Sequence, residues 1–324
     1  MPTTSSAPSK DSSGPAASAD GVTRRRALFV VGAALAEEVC AVPDLPRRGG
    51  HMWVQPVAST VGGSAMNVLR NLVGLGRSPI PALTVGTGPA AARVAELLSA
   101  LGFRSVLPAH ARDNGTCLTL ITPDGERTFL TAPGCETDWS RTRVATLDVP
   151  AGAVVYASGF QLLAPGGHLA DWASGLRSDA LLVLDPGARC AELVRLPAWR
   201  ALRDRCDLLT LNGREAAALM DAELHSWHRE GSAAGPDSPL AEWALQHRCD
   251  VVLRRGAAGA TWLPANGGPP VHAAAVPVQV VDTDGAGDAH TAGVMAALAD
   301  GLEPAVALEL AARTAARAVA HAGP

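Results

Sequence analysis

The chain has 324 residues, of which 48% are hydrophobic, 18% charged and 4% aromatic, so length and apolar content suffice for one large domain with a core of small aliphatic side chains. A net charge of −4 and a pI near 6.1 exclude the basic face of a nucleic-acid binder. No run approaches the ~18–20 apolar residues that a bilayer-spanning helix needs, so no membrane partner is expected. Residues 1–23 are rich in Ser, Ala, Pro and Thr without hydrophobic periodicity and are predicted to be a disordered tail ahead of a domain spanning 24–324. Arg24-Arg25-Arg26 and the apolar run 27–36 could pass for an export signal. That run is only ten residues long and meets Glu37-Glu38 at once, so it reads as a first buried strand. From there the spacing predicts strands at 27–32, 81–85, 153–157, 181–185, 207–211 and 250–254, and helices at 65–75, 89–101, 167–176, 213–220, 239–247, 287–299 and 304–320. Such alternation predicts an α/β fold: a mostly parallel sheet with helices on both faces.

Two stretches break the alternation. Segments 50–60 and 115–131, the latter with the turn Pro123-Asp124-Gly125, read as antiparallel strands of a small extra sheet. A lid over a site and an ordinary edge hairpin both fit. Residues 224–240, with Gly, Ser, Pro and charges, read as a surface loop. The six cysteines form no C-x-x-C pair and no zinc spacing, so they read as reduced thiols of a cytoplasmic protein.

The segment richest in chemistry is 280–290, Val-Val-Asp-Thr-Asp-Gly-Ala-Gly-Asp-Ala-His. A strand-like run ends in acidic residues, and Gly285-Ala286-Gly287 then turns the chain into an alanine-rich helix. Glycines at such a turn leave backbone N–H groups uncovered at a helix N-terminus, where orphan donors and the helix dipole both favour an anion. Asp288 fits two roles there: a cap for the helix, or a base accepting a proton from a substrate hydroxyl beside the anion.

Asp282-Thr283-Asp284-Gly285-Ala286-Gly287-Asp288 resembles the D-T-x-G-A-G-D signature of the ribokinase-like (PfkB) carbohydrate kinases. Three more segments match that family in order: Gly62-Gly63-Ser64-Ala65-Met66-Asn67 resembles G-G-x-x-x-N, Asn212-Gly213-Arg214-Glu215 resembles N-x-x-E, and Val251 to Ala260 resembles a strand-turn-strand lying along the nucleotide. Details such as Asp113-Asn114-Gly115 and Pro123-Asp124-Gly125-Glu126-Arg127-Thr128-Phe129 are similar to a bacterial branch of uncharacterised sugar kinases. The resemblance covers about 27–321. It implies a three-layer α/β/α domain with a β lid from about 45–61 and 112–132, and ATP-dependent phosphorylation of a hydroxyl on a small sugar-like substrate. A nucleoside kinase shares every one of these motifs, and a non-catalytic binding protein on the same fold is the remaining alternative.

The same resemblance implies roles residue by residue. Asp288 would be the base, with Gly285, Ala286 and Gly287 as the anion hole. Substrate would lie among Glu37, Gly62, Gly63 and Asn67, and ATP with Mg²⁺ along Asn212, Glu215, Arg254, Gly256 and Gly259. A K⁺ ion is implied near the Asp282–Asp284 carbonyls, and a homodimer through the lid is left open. Taken as residues alone, Gly62 to Asn67 also fits a strand–helix turn, and Asn212 with Glu215 fits a capped helix start. Family members usually carry Asp at the position of Glu37, so the extra methylene would move the carboxylate by ~1.5 Å; Glu38 is the neighbouring alternative. Arg254 stands where Thr or Ser is common and could neutralise phosphate charge. His290 reads as a packed residue. Gln161, Asp185 and Arg189 follow predicted strand ends, where open α/β sheets bind ligands; turn or surface roles fit them too.

Overall fold

The computed structural model describes residues 25–223 and 238–321. The predicted tail at 1–23 and most of the predicted loop at 224–240 lie outside them. The strands among the described residues are β1 (Leu28–Gly32), β2 (Leu35–Ala41), β3 (Gln55–Gly62), β4 (Ile80–Leu83), β5 (Thr116–Ile121), β6 (Arg127–Ala132), β7 (Val154–Ser158), β8 (Leu181–Asp185), β9 (Leu208–Asn212), β10 (Asp250–Arg254), β11 (Ala260–Leu263) and β12 (Val271–Ala273). Eight form one sheet in the order β12-β11-β10-β9-β8-β7-β1-β4. Pairing is parallel from β10 through β4; only β11 runs against the others, pairing antiparallel with both β10 and β12.

Burial on both faces explains the unbroken apolar strands. Every residue of β1 and β7 is buried. Alternation divides them between two layers: Phe29, Val31, Val155 and Ala157 pack under the helices His168–Ser174, Trp199–Arg205, Gly213–Glu223 and Ser238–His247. Leu28, Val30, Val154 and Tyr156 face the helices Ser64–Gly74, Pro89–Ala100, Ala286–Ala299 and Pro304–Val319. The last two helices approach so closely that a methyl on Gly293 would collide with Ala311 Cα, which fixes the helix carrying Asp288 against its neighbour.

The second sheet has four strands in the order β3-β2-β5-β6. β3 and the β5–β6 hairpin fall where the sequence places them. β2 was not foreseen, and residues 45–54, expected to belong to the small sheet, form no strand. β2 pairs antiparallel with β3 and parallel with β5, with a register shift between Val39 and Cys40. Its strand character therefore comes from partners far away in sequence. Asn114 ties the two sheets together: its side-chain amide donates to the carbonyls of Ala34 and Thr84 and accepts from Gly86 N at 2.8–2.9 Å.

Candidate active site

The order of the large sheet reverses between β1 and β7, and a cleft of about 780 Å³ opens at the carboxyl ends of the strands there. Ser158 at the end of β7, Gln161 just after it, Asp185 at the end of β8, Asn212 at the end of β9 and Arg254 at the end of β10 lie along its floor. The turn 283–288 and Asn67 form its sides, and Leu35, Glu37, Cys117, Phe129 and Thr131 of the small sheet cover it.

The turn has the shape its glycines permit. Gly285 lies in the left-handed region at φ 67°, immediately before the helix Ala286–Ala299, and no side chain caps that helix. Gly285 N donates to its neighbour Asp284 Oδ1 at 3.0 Å, and Ala286 N to Thr283 O at 3.3 Å. The N–H groups of Gly287 and Asp288 find no acceptor among the described residues, so they are the open donors at this helix start.

Asp288 is not a cap. It sits within the first helical turn, and its Oδ2 accepts a 2.9 Å hydrogen bond from Asn67 Nδ2 on the helix Ser64–Gly74. Burial pushes its carboxyl up to about 8, and the charge of Asp185 adds to that; the Asn67 hydrogen bond and Arg254 oppose the rise without cancelling it. With Nδ2 so committed, Asn67 Oδ1 remains a buried acceptor with no partner among the described residues.

Glu37 enters from β2 and is buried. Thr119 Oγ1 on β5 donates to its Oε1. Its other oxygen lies so close to Gly62 that any side chain there would strike it. Burial raises the Glu37 carboxyl; the Thr119 hydrogen bond and the positive charges of Arg127 and Arg70 work against that. Glu38, the neighbouring alternative, points away and pairs with Arg93 at 2.6 Å and Ser59 at 2.8 Å.

Arg254 is the hub of the floor. Its Nη1 donates to Asp185 Oδ2 (3.0 Å), Thr210 Oγ1 (2.9 Å), Thr291 Oγ1 (2.9 Å) and Gly287 O (3.3 Å), and Nη2 reaches Glu215 Oε2 at 3.3 Å. The guanidinium thus lies directly beneath the turn, its charge held by two carboxylates that raise its already high pKa despite burial. Asn212 and Glu215 form a reciprocal cap: Asn212 Oδ1 accepts from Arg214 N and Glu215 N, while Glu215 accepts from Asn212 N and Nδ2 at 2.7 Å. Capping and cleft placement are therefore combined in the same pair.

The other expected residues are placed as follows. Gly256 and Gly259 shape the turn between β10 and β11 and do not line the cleft. The Asp282 and Asp284 carboxylates face Arg127. Arg189 stands at the rim, paired with Glu192. His290 is buried with both ring nitrogens unpartnered among the described residues; burial and Arg254 push it down to about 3, so it stays neutral. Sequence reasoning missed Cys117, Phe129 and Thr131 as parts of the cleft, and Thr119 and Arg127 on the same face of the hairpin. The one available signal was the alternation along β5 and β6, which sends 117, 119, 127, 129 and 131 to a single face.

The family model for pfkB family carbohydrate kinases matches residues 25–324. The chain belongs to the PfkB family of carbohydrate kinases. An uncharacterised sugar kinase of Escherichia coli K12, YegV, is 34% identical over 305 residues, covering 93% of this chain and 91% of that one. Among solved structures, the ribokinase of Thermotoga maritima superposes with a TM-score of 0.74 at 17% identity, covering 92% of this chain and 94% of that one. The nucleoside kinase of Burkholderia thailandensis, in complex with inosine, gives 0.71 at 20% identity, with 92% of each chain covered. This PfkB kinase has the ribokinase-like fold, and its small four-stranded sheet is a separate layer beside the main sheet.

Proposed function

We propose that this kinase transfers the γ-phosphoryl group of ATP to a hydroxyl of a small sugar-like substrate, with Asp288 as the base. One observation carries the reading: a carboxyl raised to about 8 lies at a helix N-terminus with open N–H donors and is steered across the cleft by Asn67. A base titrating near neutrality both holds a proton well and is ionised in part. The hydroxyl proton passes to Asp288 as the substrate oxygen bonds to the γ-phosphorus. The bond from that phosphorus to the β,γ-bridging oxygen breaks, and its electron pair leaves with ADP. The donors of Gly287 and Asp288, with those of Gly285 and Ala286 as the turn adjusts, face the transferred group. Arg254 beneath the turn offsets the charge gathered there.

Glu37 and the free Asn67 Oδ1 are acceptors suited to substrate hydroxyl groups. Closure by the small sheet would keep water from competing with the substrate. Mg²⁺ fits the polar floor through the phosphates it would accompany, with Asn212 and Glu215 receiving its waters; when bound it neutralises charge on the departing ADP. A K⁺ ion at the Asp282–Asp284 carbonyls remains a proposal resting on the family resemblance. Dimerisation through the small sheet is likewise a proposal; exposed Leu118 and Leu130 on its outer face support it. No described helix is long and apolar enough to cross a membrane.

A nucleoside acceptor is the second reading. Phe129 and Phe160 expose their rings at the cleft, where a base could stack. An ADP-release assay over free sugars, sugar acids and nucleosides separates the two. Turnover confined to nucleosides would overturn the sugar reading, and no turnover on any of them would overturn phosphotransfer.

A further inference from the structure

The β5–β6 hairpin reaches over the cleft, and its two ends are held differently. At the base, the Glu136 carboxylate accepts the N–H groups of Gly115 and Gly134, each at 2.7 Å, one just before β5 and one just after β6. At the tip, Arg127 opens β6 on the same face as Phe129 and Thr131, toward the cleft. Its Nη2 donates to Asp282 Oδ1, and its Nη1 lies 3.5 Å from Asp284 Oδ2. All three side chains are at least five-sixths buried. Beyond them the line continues. Asp282 Oδ1 accepts Asp284 N at 2.9 Å, and Asp284 Oδ1 accepts Gly285 N at 3.0 Å. Ion pair and hydrogen bonds thus run without a break from the hairpin tip to the first N–H of the turn.

Charge gives this line a second consequence. The cleft region gathers Glu37, Asp185, Asp282, Asp284 and Asp288, and a polyphosphate must come to rest beside the last three. Arg254 already answers Asp185 and Glu215. Arg127 places its guanidinium on Asp282 and Asp284.

We infer that Arg127 is a positioning residue for phosphoryl transfer, tying the hairpin to the Gly285–Gly287 turn and neutralising the two carboxylates beside it. The inference rests on the phosphotransfer reading above. It predicts that the hairpin is seated and the turn is ordered in one event, because the same guanidinium does both.

The test compares Arg127→Ala and Arg127→Lys with the wild-type chain. For the alanine variant, kcat/KM for ATP should fall on the order of 30-fold, as expected when the guanidinium facing two carboxylates beside the phosphates is removed. ADP release should exceed phosphorylated product, because a loose hairpin admits water. Millimolar guanidinium should restore part of the loss, and lysine, which keeps the charge without the fork, should fall between. Unchanged kcat/KM would overturn the inference. So would a loss with ADP and product still equal and no response to guanidinium, which would mark general damage. Hydrogen exchange decides without turnover: the hydrogen-bonded amides of 284–286 should exchange faster in the alanine variant, and equal protection would refute the tie. If the wild-type chain phosphorylates nothing, phosphotransfer fails, and the exchange comparison still judges Arg127 alone.

Discussion

The pH profile of turnover follows from the surroundings of Asp288. A carboxyl that titrates at about 8 is about one-tenth ionised at pH 7 and about one-hundredth at pH 6. If the ionised form is the base, kcat/KM rises about tenfold between pH 6 and 7 and levels off above about 9. Two substitutions should move this limb in opposite directions. Asn67→Ala removes a donor to the carboxylate, so the limb moves to higher pH; Asp185→Asn removes a raising charge, so it moves to lower pH. Stability carries the same signature. The folded pKa lies above the unfolded value, so ionising Asp288 opposes folding, and the cost grows between about pH 4 and about pH 8. Asp288→Asn should therefore gain in Tm over the wild-type chain across that window, with the difference closing as pH falls toward 4. Initial rates from pH 5.5 to 9.5 and thermal unfolding from pH 4 to 9 suffice. A limb near pH 4, or a common direction of shift in the two variants, would refute the reasoning.

Other expectations are more local. Gly62→Ala places a methyl against Glu37 Oε2. KM for the acceptor should rise about tenfold or more with kcat nearly kept, the pattern of lost binding that is equal in ground and transition states; unchanged KM would remove Glu37 from the substrate site. Arg254→Met leaves Asp185 and Glu215 buried without their cation, at a cost of about 3–5 kcal/mol in urea unfolding. That cost should shrink on acidification, because burial and the Asp185 charge raise the Glu215 carboxyl and let it take up a proton early. Turnover in potassium chloride and in sodium chloride tests the K⁺ proposal: faster turnover in potassium supports it, and equal rates remove it.

What the chain discloses by itself depends on how local the cause is. β1 announces itself as five consecutive buried apolar or glycine residues. The Gly285 turn is written in residues that are adjacent in sequence, and the cap between Asn212 and Glu215 in residues three apart. β2 is opaque because Ala36-Glu37-Glu38 carries no clear apolar alternation; its pairing with Thr116 to Ile121 makes it a strand. Thr119 lies 82 residues from Glu37, and Arg127 lies 155 residues from Asp282, so neither partnership leaves a pattern in any local window. The two roles considered for Asp288 were separable only in three dimensions, where its carboxyl turns to Asn67 instead of the helix N–H groups. Gly256 and Gly259, expected beside the nucleotide by resemblance, bend one edge hairpin of the large sheet.

The sharpest single measurement is single-turnover phosphoryl transfer by Asp288→Asn, with nucleotide and acceptor affinities measured in parallel. Asparagine preserves shape and can still accept from Asn67, but it cannot take a proton. The rate should fall by at least ~10²-fold while both ligands bind about as before. Transfer at the wild-type rate would show that the proton leaves by another route.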